Sequence, residues 1–166
     1  LVQVDAVFRA RDADHCVATW HTVFIVVWRF ETAASAVANM NRVLRAFMEE
    51  HPGPLTMVMI IEPTSRVPGA GARSEFAVLS RDLVPRMALA VIVPEGGGFR
   101  VATVRSVAIA LTVLLPHKVP FKFVDTVDQA SAAIAPHLQE ATGGAAAFAR
   151  AVAAMRAKLG PAVGKG

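Results

Sequence analysis

The chain has 166 residues, 54% of them hydrophobic and 18% charged, with a net charge of +4. That length suits one domain, and that composition excludes a disordered protein, which needs low hydrophobicity and high charge. The single cysteine, Cys16, cannot form an internal disulfide, so a stapled secreted scaffold is excluded as well.

No uncharged apolar run reaches the ~18 residues of a membrane-spanning helix; the nearest, residues 101–115, contains Arg105. The single cysteine fits a cytoplasmic location, which is expected; no signal-peptide pattern opens the sequence, which leaves a removed initiator Met or short leader open. Arg and Lys are spread along the chain rather than clustered, so no nucleic-acid partner is expected.

The first thirty residues read as strands. Val2, Val4 and Phe8 mark a first apolar segment, and the charged residues 9–14 read as a turn or loop. Residues 16–20 and 23–28 are rich in β-branched and aromatic side chains. The second run is nearly continuous, the pattern of a strand buried on both faces. Thr32 opens a helix in which Val37, Met40, Leu44 and Phe47 share one face. Pro52, Gly53 and Pro54 stop it.

Residues 55–61 form the clearest buried strand, followed by Glu62-Pro63 and a loop over 64–72. A second helix is expected from Arg73, with Phe76, Leu79 and Leu83 inward and Pro85 at its end. Residues 88–93 are another apolar strand, and Gly96, Gly97 and Gly98 make a tight turn. A third helix is expected over 100–115, carrying Val101, Val104, Ala108, Leu111 and Leu115 on one face. Residues 120–124 read as a short last strand. A fourth helix begins near Asp125 or Thr126, with Val127, Ala130 and Ile134 inward and Pro136 as a possible kink.

After Gly143-Gly144 a further amphipathic helix carries Phe148, Val152, Met155 and Leu159 at spacings of four, three and four. It lies outside the alternating pattern and packs on its own chain or on a second copy. Residues 160–166 read as a frayed tail. The expected architecture is α/β: a mostly parallel sheet of about five strands with covering helices, spanning residues 1–142, plus a C-terminal amphipathic helix in 143–166. The two N-terminal strands fit an antiparallel hairpin at one edge.

This element order resembles the STAS domain, the fold of anti-sigma-factor antagonists, and is similar to its STAS/SEC14-type relatives. The resemblance covers residues 1–138. It rests on the order of elements, on the strand 55–61 with its polar loop and helix, and on Glu95-Gly96-Gly97-Gly98-Phe99 before the next helix. It implies a non-enzymatic, STAS-like signalling module that binds partner proteins and is switched by phosphorylation of a Ser or Thr. In the family the acceptor follows an Asp at the end of the central strand. Here the matching segment is Glu62-Pro63-Thr64-Ser65, so Thr64 and Ser65 are the candidate acceptors, with Glu62 in place of the Asp.

Other candidate sites come from the residues themselves. Parallel sheets place ligands at the carboxyl ends of their strands. There Arg66, Arg73, Arg100 and Arg105, with Gly96, Gly97 and Gly98, suggest a patch for a small anionic ligand. The plain alternative is a tight turn beside solvated arginines. Glu62 and Glu95 fit a carboxylate pair on one rim, or else each caps a helix or pairs with Arg66 or Arg100. His15, Cys16 and His21 are too few and too divergent for a metal site; a buried thiol with two incidental histidines is expected, and neither metal nor cofactor. Trp20, Trp28 and Phe30 are core residues or an apolar patch for a partner. The leading expectation is a regulatory or scaffolding module that binds a protein partner or itself. The alternative is an enzyme or receptor for a small anionic ligand.

Overall fold

Two runs of β-branched and aromatic side chains lie side by side as strands. β2 (His15–Trp20) and β3 (Val23–Trp28) pair antiparallel across the two-residue turn His21-Thr22. His21 adopts a left-handed φ of 51° there, as two-residue hairpin turns favour. β1 (Val7–Arg11) pairs antiparallel with the outer side of β2. The charged segment 9–14 is therefore half strand. Arg9 sits in β1 and reaches Thr19 Oγ1 at 3.0 Å and the Glu50 carboxylate at 2.6 and 3.0 Å. The turn is confined to residues 12–14, where the Asp12 carboxylate accepts the amides of Asp14 and His15. The computed structural model describes residues 5–113, 120–138 and 143–161.

From β3 onward strands and helices alternate: α1 (Ala34–Glu50), β4 (Leu55–Ile61), α2 (Ala70–Leu83), β5 (Met87–Pro94), α3 (Gly98–Val113) and β6 (Phe121–Phe123). Among the described residues the sheet has six strands in sequential order, β1 to β6. β3 to β6 are parallel, and β1–β2 and β2–β3 are antiparallel. The expectation of a mostly parallel sheet of about five strands is corrected to a mixed sheet of six. The reason lies in the connections: turns of two or three residues close antiparallel pairs, whereas a parallel crossover needs a dozen residues or more. Only the segments holding α1, α2 and α3 are long enough.

Right-handed crossovers that step one strand at a time in one direction put their helices on the same face. α1 and α2 accordingly bury Val37, Met40, Leu44, Phe47, Phe76 and Leu79 against Val17, Phe24, Val26, Trp28 and Met57. That arrangement would leave the opposite face bare. α4 (Val127–Ile134) and α5 (Gly144–Leu159) cover it. Their Ala130, Ile134, Phe148, Val152 and Met155 pack on Cys16, Ala18, Trp20, Ile25 and Ile60. The helix that stands outside the βα pattern thus packs in cis and supplies half of a core layer. Leu159 of its stripe is only half-buried. Trp20 meets Phe148 at 5.8 Å, while Trp28 stacks on His15 at 4.9 Å; both tryptophans are core, and Phe30 is half-buried.

Boundaries follow local chemistry. Thr126 caps α4 by accepting the Gln129 amide at 3.2 Å. Pro85 and Pro136 each fall in a short 3-10 turn that closes the preceding helix. α2 begins at Ala70, a little before the expected Arg73. Val2, Val4, the Leu111 side chain, Leu115, the 142/143 boundary and the tail at 162–166 lie outside what is described. No helix among the described residues is long and apolar enough to cross a membrane.

Candidate functional site

The carboxyl ends of β3, β4 and β5 are drawn together by backbone bonds that extend the ladders. The Glu62 amide donates to the Trp28 carbonyl and the Glu95 amide to the Ile61 carbonyl, each at 2.9 Å. The Arg66 amide donates to Phe30 O at 2.6 Å, and the Thr64 hydroxyl to Arg29 O at 2.6 Å. Side chains alternate across the sheet, so this rim has two sides: one under α5, one under α2 and α3.

On the α5 side, Arg29 and Glu62 directly follow buried strands and are themselves buried. Buried charges must be paired. Arg29 Nε and Nη2 donate to the two Glu62 oxygens at 2.6 and 3.1 Å, and Nη1 donates to the Gly160 carbonyl at the end of α5. Arg156, also from α5, donates to Glu95 Oε1 at 2.7 Å and lies 3.6 Å from Glu62 Oε1. Glu62 and Glu95 do share one rim, bridged by Arg156. Their partners are Arg29 and Arg156 rather than Arg66 or Arg100. Both carboxylates are engaged by guanidinium, which makes this a clamp on α5 rather than an acid–base pair. A signal for Arg29 was present in the sequence: an arginine directly after a continuous buried strand has to find an acid.

The four arginines singled out for an anion patch do not converge. Arg100 is spent on backbone, donating to Ser65 O at 3.3 Å and to Glu95 O. Arg105 pairs with Asp125 at 2.9 Å and lies over the Phe123 ring. Arg73 is exposed on α2. Of the four, Arg66 alone is among the residues that line a cavity. The turn at Gly96, Gly97 and Gly98 carries positive φ at Gly96 (97°) and Gly98 (71°), which a side chain would strain. A Cβ on Gly96 would also press on Arg100 at 3.3 Å. Gly96 alone serves a close approach, to Pro63 and Arg100, while Gly97 and Gly98 face open space.

Thr64 is exposed, though its hydroxyl is bonded to Arg29 O; Ser65 is buried and its hydroxyl has no partner among the described residues. His15 and Cys16 point to opposite faces of the sheet, and His21 stands in the turn. Burial pushes the Cys16 thiol up to about 11, against the pull of Arg11 and Lys158. Burial raises the Asp12 carboxyl, but the amides of Asp14 and His15 and the His15 ring outweigh it and hold it below the usual carboxylate range.

On the other side of the rim, α3 stands off the sheet and leaves a cavity of about 100 Å³ between α2, α3 and the strands β4, β5 and β6. Its floor is Met57, Met59, Ile61, Ala90 and Ile92; its walls include Phe76, Leu79, Val104, Val107 and Ala108. Trp28, Thr32 and Arg66 also line it, and all three belong to segments at the carboxyl ends of β3 and β4. Arg66 is exposed, whereas Trp28 and Thr32 are buried. Sequence reasoning marked Arg66 but missed the cavity, because a void between two packed layers has no pattern along the chain. No family model, curated protein or solved structure matches this chain.

Proposed function

We propose that this protein is a small-molecule binding domain whose ligand occupies the apolar cavity beneath α3. The observation that supports this reading is the cavity itself: about 100 Å³, lined almost wholly by apolar side chains. Protein interiors normally close such voids. The pocket is half open to solvent, and a ligand seated in it would cover its apolar lining. The place also fits, at the carboxyl ends of strands, where open α/β sheets hold ligands. Titration with small neutral apolar probes such as toluene and hexanol, read by tryptophan fluorescence and calorimetry, tests it. Saturable binding that disappears in a folded Ala108→Phe variant is expected. No saturable binding, or equal binding by the filled variant, overturns the reading.

A second reading is a STAS-like, non-enzymatic module that binds a protein partner or a second copy. It is favoured by the outer face of α3, where Phe99 and Val113 are 88% and 77% exposed. Ile109, 52% exposed, lies one turn before Val113 on the same helix, and contiguous exposed apolar patches mark interaction surfaces. Light scattering of the wild type against Phe99→Ser distinguishes self-association from a monomer.

A further inference from the structure

α3 is apolar on two sides. Val104, Val107 and Ala108 line the cavity beneath it, while Phe99, Ala102, Ser106, Ile109, Ala110 and Val113 are exposed. A helix that is hydrophobic all round is normally buried all round, yet this one meets solvent from its first turn to its last. Steps of three and four residues through 99, 102, 106, 109 and 113 put the exposed residues on one stripe. The ends of the stripe are large, with Phe99 88% and Val113 77% exposed, and its middle is small. Its order reads nearly the same from either end: Ala102 and Ala110 stand four residues to each side of Ser106, and Phe99 and Val113 seven. No charged side chain lies on the stripe. The two cations of α3 are engaged within the chain, Arg100 by the Ser65 and Glu95 carbonyls and Arg105 by Asp125.

We infer that the partner of this face is a second copy of the chain, the two α3 helices crossing antiparallel at Ser106 about a two-fold axis. This rests on the protein-interaction reading above and names the partner for it. A two-fold interface joins the same patch from both subunits, so the patch must be complementary to itself. Run antiparallel, the stripe meets that demand: Phe99 lies beside the partner's Val113, and small residues meet at the crossing. Charge selects the same direction. α3 has no acid in its first turn and no base in its last, so its own side chains offset neither end of its dipole. Antiparallel packing sets each positive N-terminus beside a negative C-terminus, whereas parallel packing stacks like ends. With a net charge of +4, two copies repel over much of their surface, and an uncharged stripe is where they meet. A lipid surface suits this face less, because interfacial helices carry free Lys or Arg beside their apolar side. One pair of 16-residue helices, about 24 Å long, makes a small interface. The dimer is therefore weak, with a Kd between about 1 μM and 1 mM.

The test is sedimentation velocity across that concentration range, on wild type, Ser106→Glu, Ser106→Cys and Phe99→Cys. Both positions are exposed, so the variants are expected to fold, and thermal melts check this. Wild type is expected to pass from monomer to dimer. Ser106→Glu sets two carboxylates against each other at the crossing and is expected to weaken the dimer roughly tenfold or more. Helix axes about 8–10 Å apart bring facing residues within the ~4.4–6.8 Å between Cα atoms that a disulfide needs. Ser106→Cys is therefore expected to lock into a covalent dimer on mild oxidation. Phe99→Cys stays unlinked, because its two copies lie at opposite ends of the crossing, about 21 Å apart. Wild type is the control for linkage, since Cys16 is buried. A monomer at every concentration overturns the inference and leaves only a different protein for the interaction reading. A monomer that binds vesicles of phosphatidylcholine and phosphatidylglycerol overturns both. A dimer unchanged in Ser106→Glu joins through another surface and overturns the inference. A dimer linked through Phe99→Cys but not Ser106→Cys overturns the antiparallel crossing while leaving α3 as the interaction surface.

Discussion

Arg29 and Glu62 sit side by side at the ends of two parallel strands, 33 residues apart in the chain, and share two hydrogen bonds of 2.6 and 3.1 Å. Both are buried, at 3% and 4% exposure. Neither charge would be tolerated there alone. Together, with Arg156 and the Gly160 carbonyl, they tie α5 to the sheet end.

Removing one partner leaves the other buried and unpaired. Arg29→Ala is expected to cost about 3–5 kcal/mol in urea denaturation. Replacing both with apolar residues, Arg29→Met with Glu62→Leu, is expected to cost less than the single change, since no buried charge remains. A double variant as unstable as the sum of the two singles would refute a coupled pair.

α5 is part of the core rather than an appendage. Met155 is fully buried against the face formed by Cys16, Ala18 and Trp20. Met155→Ala is expected to lose about 2–5 kcal/mol, the range for large-to-small core changes. A chain ending after Gly143 should melt lower or aggregate, because it exposes that face, and should not become a smaller oligomer. Light scattering and a thermal melt of both proteins check this; unchanged stability would show that the stripe is not buried.

The Cys16 thiol gives a pH signature. Its ordinary value is 9.0, and burial raises it to about 11 in the folded chain. Between those values the unfolded chain has lost the proton and the folded chain keeps it. Stability is therefore fully present below about pH 9 and falls as pH rises toward about 11, by on the order of 3 kcal/mol. Cys16→Ala lacks this part of the slope. Denaturation of both proteins from about pH 8 to about pH 11 measures the difference. A disulfide reagent should label Cys16 only after unfolding; rapid labelling of the native protein would contradict the burial.

The local pattern of the sequence determined most of the elements. Residues 55–61 are apolar and β-branched, so they read as a central strand, and β4 occupies those residues. Val37, Met40, Leu44 and Phe47 recur at helical spacing, so α1 and its inward face were legible. Phe148, Val152 and Met155 likewise announced a buried stripe on α5. In each case one period, two or near 3.6, decides which side chains face inward, and that information is carried by neighbours along the chain. Long-range geometry decided the rest. Whether 9–11 form a strand depends on Arg9 meeting Thr19 and Glu50, partners far away in sequence. Which face α5 covers depends on three crossovers having already filled the other. Arg29 finds Glu62 and Arg156 finds Glu95 only when strand ends and a distant helix terminus meet. The cavity under α3 is the extreme case: it arises from how far a helix stands from a sheet, a distance set by the summed packing of both faces and written in no single segment.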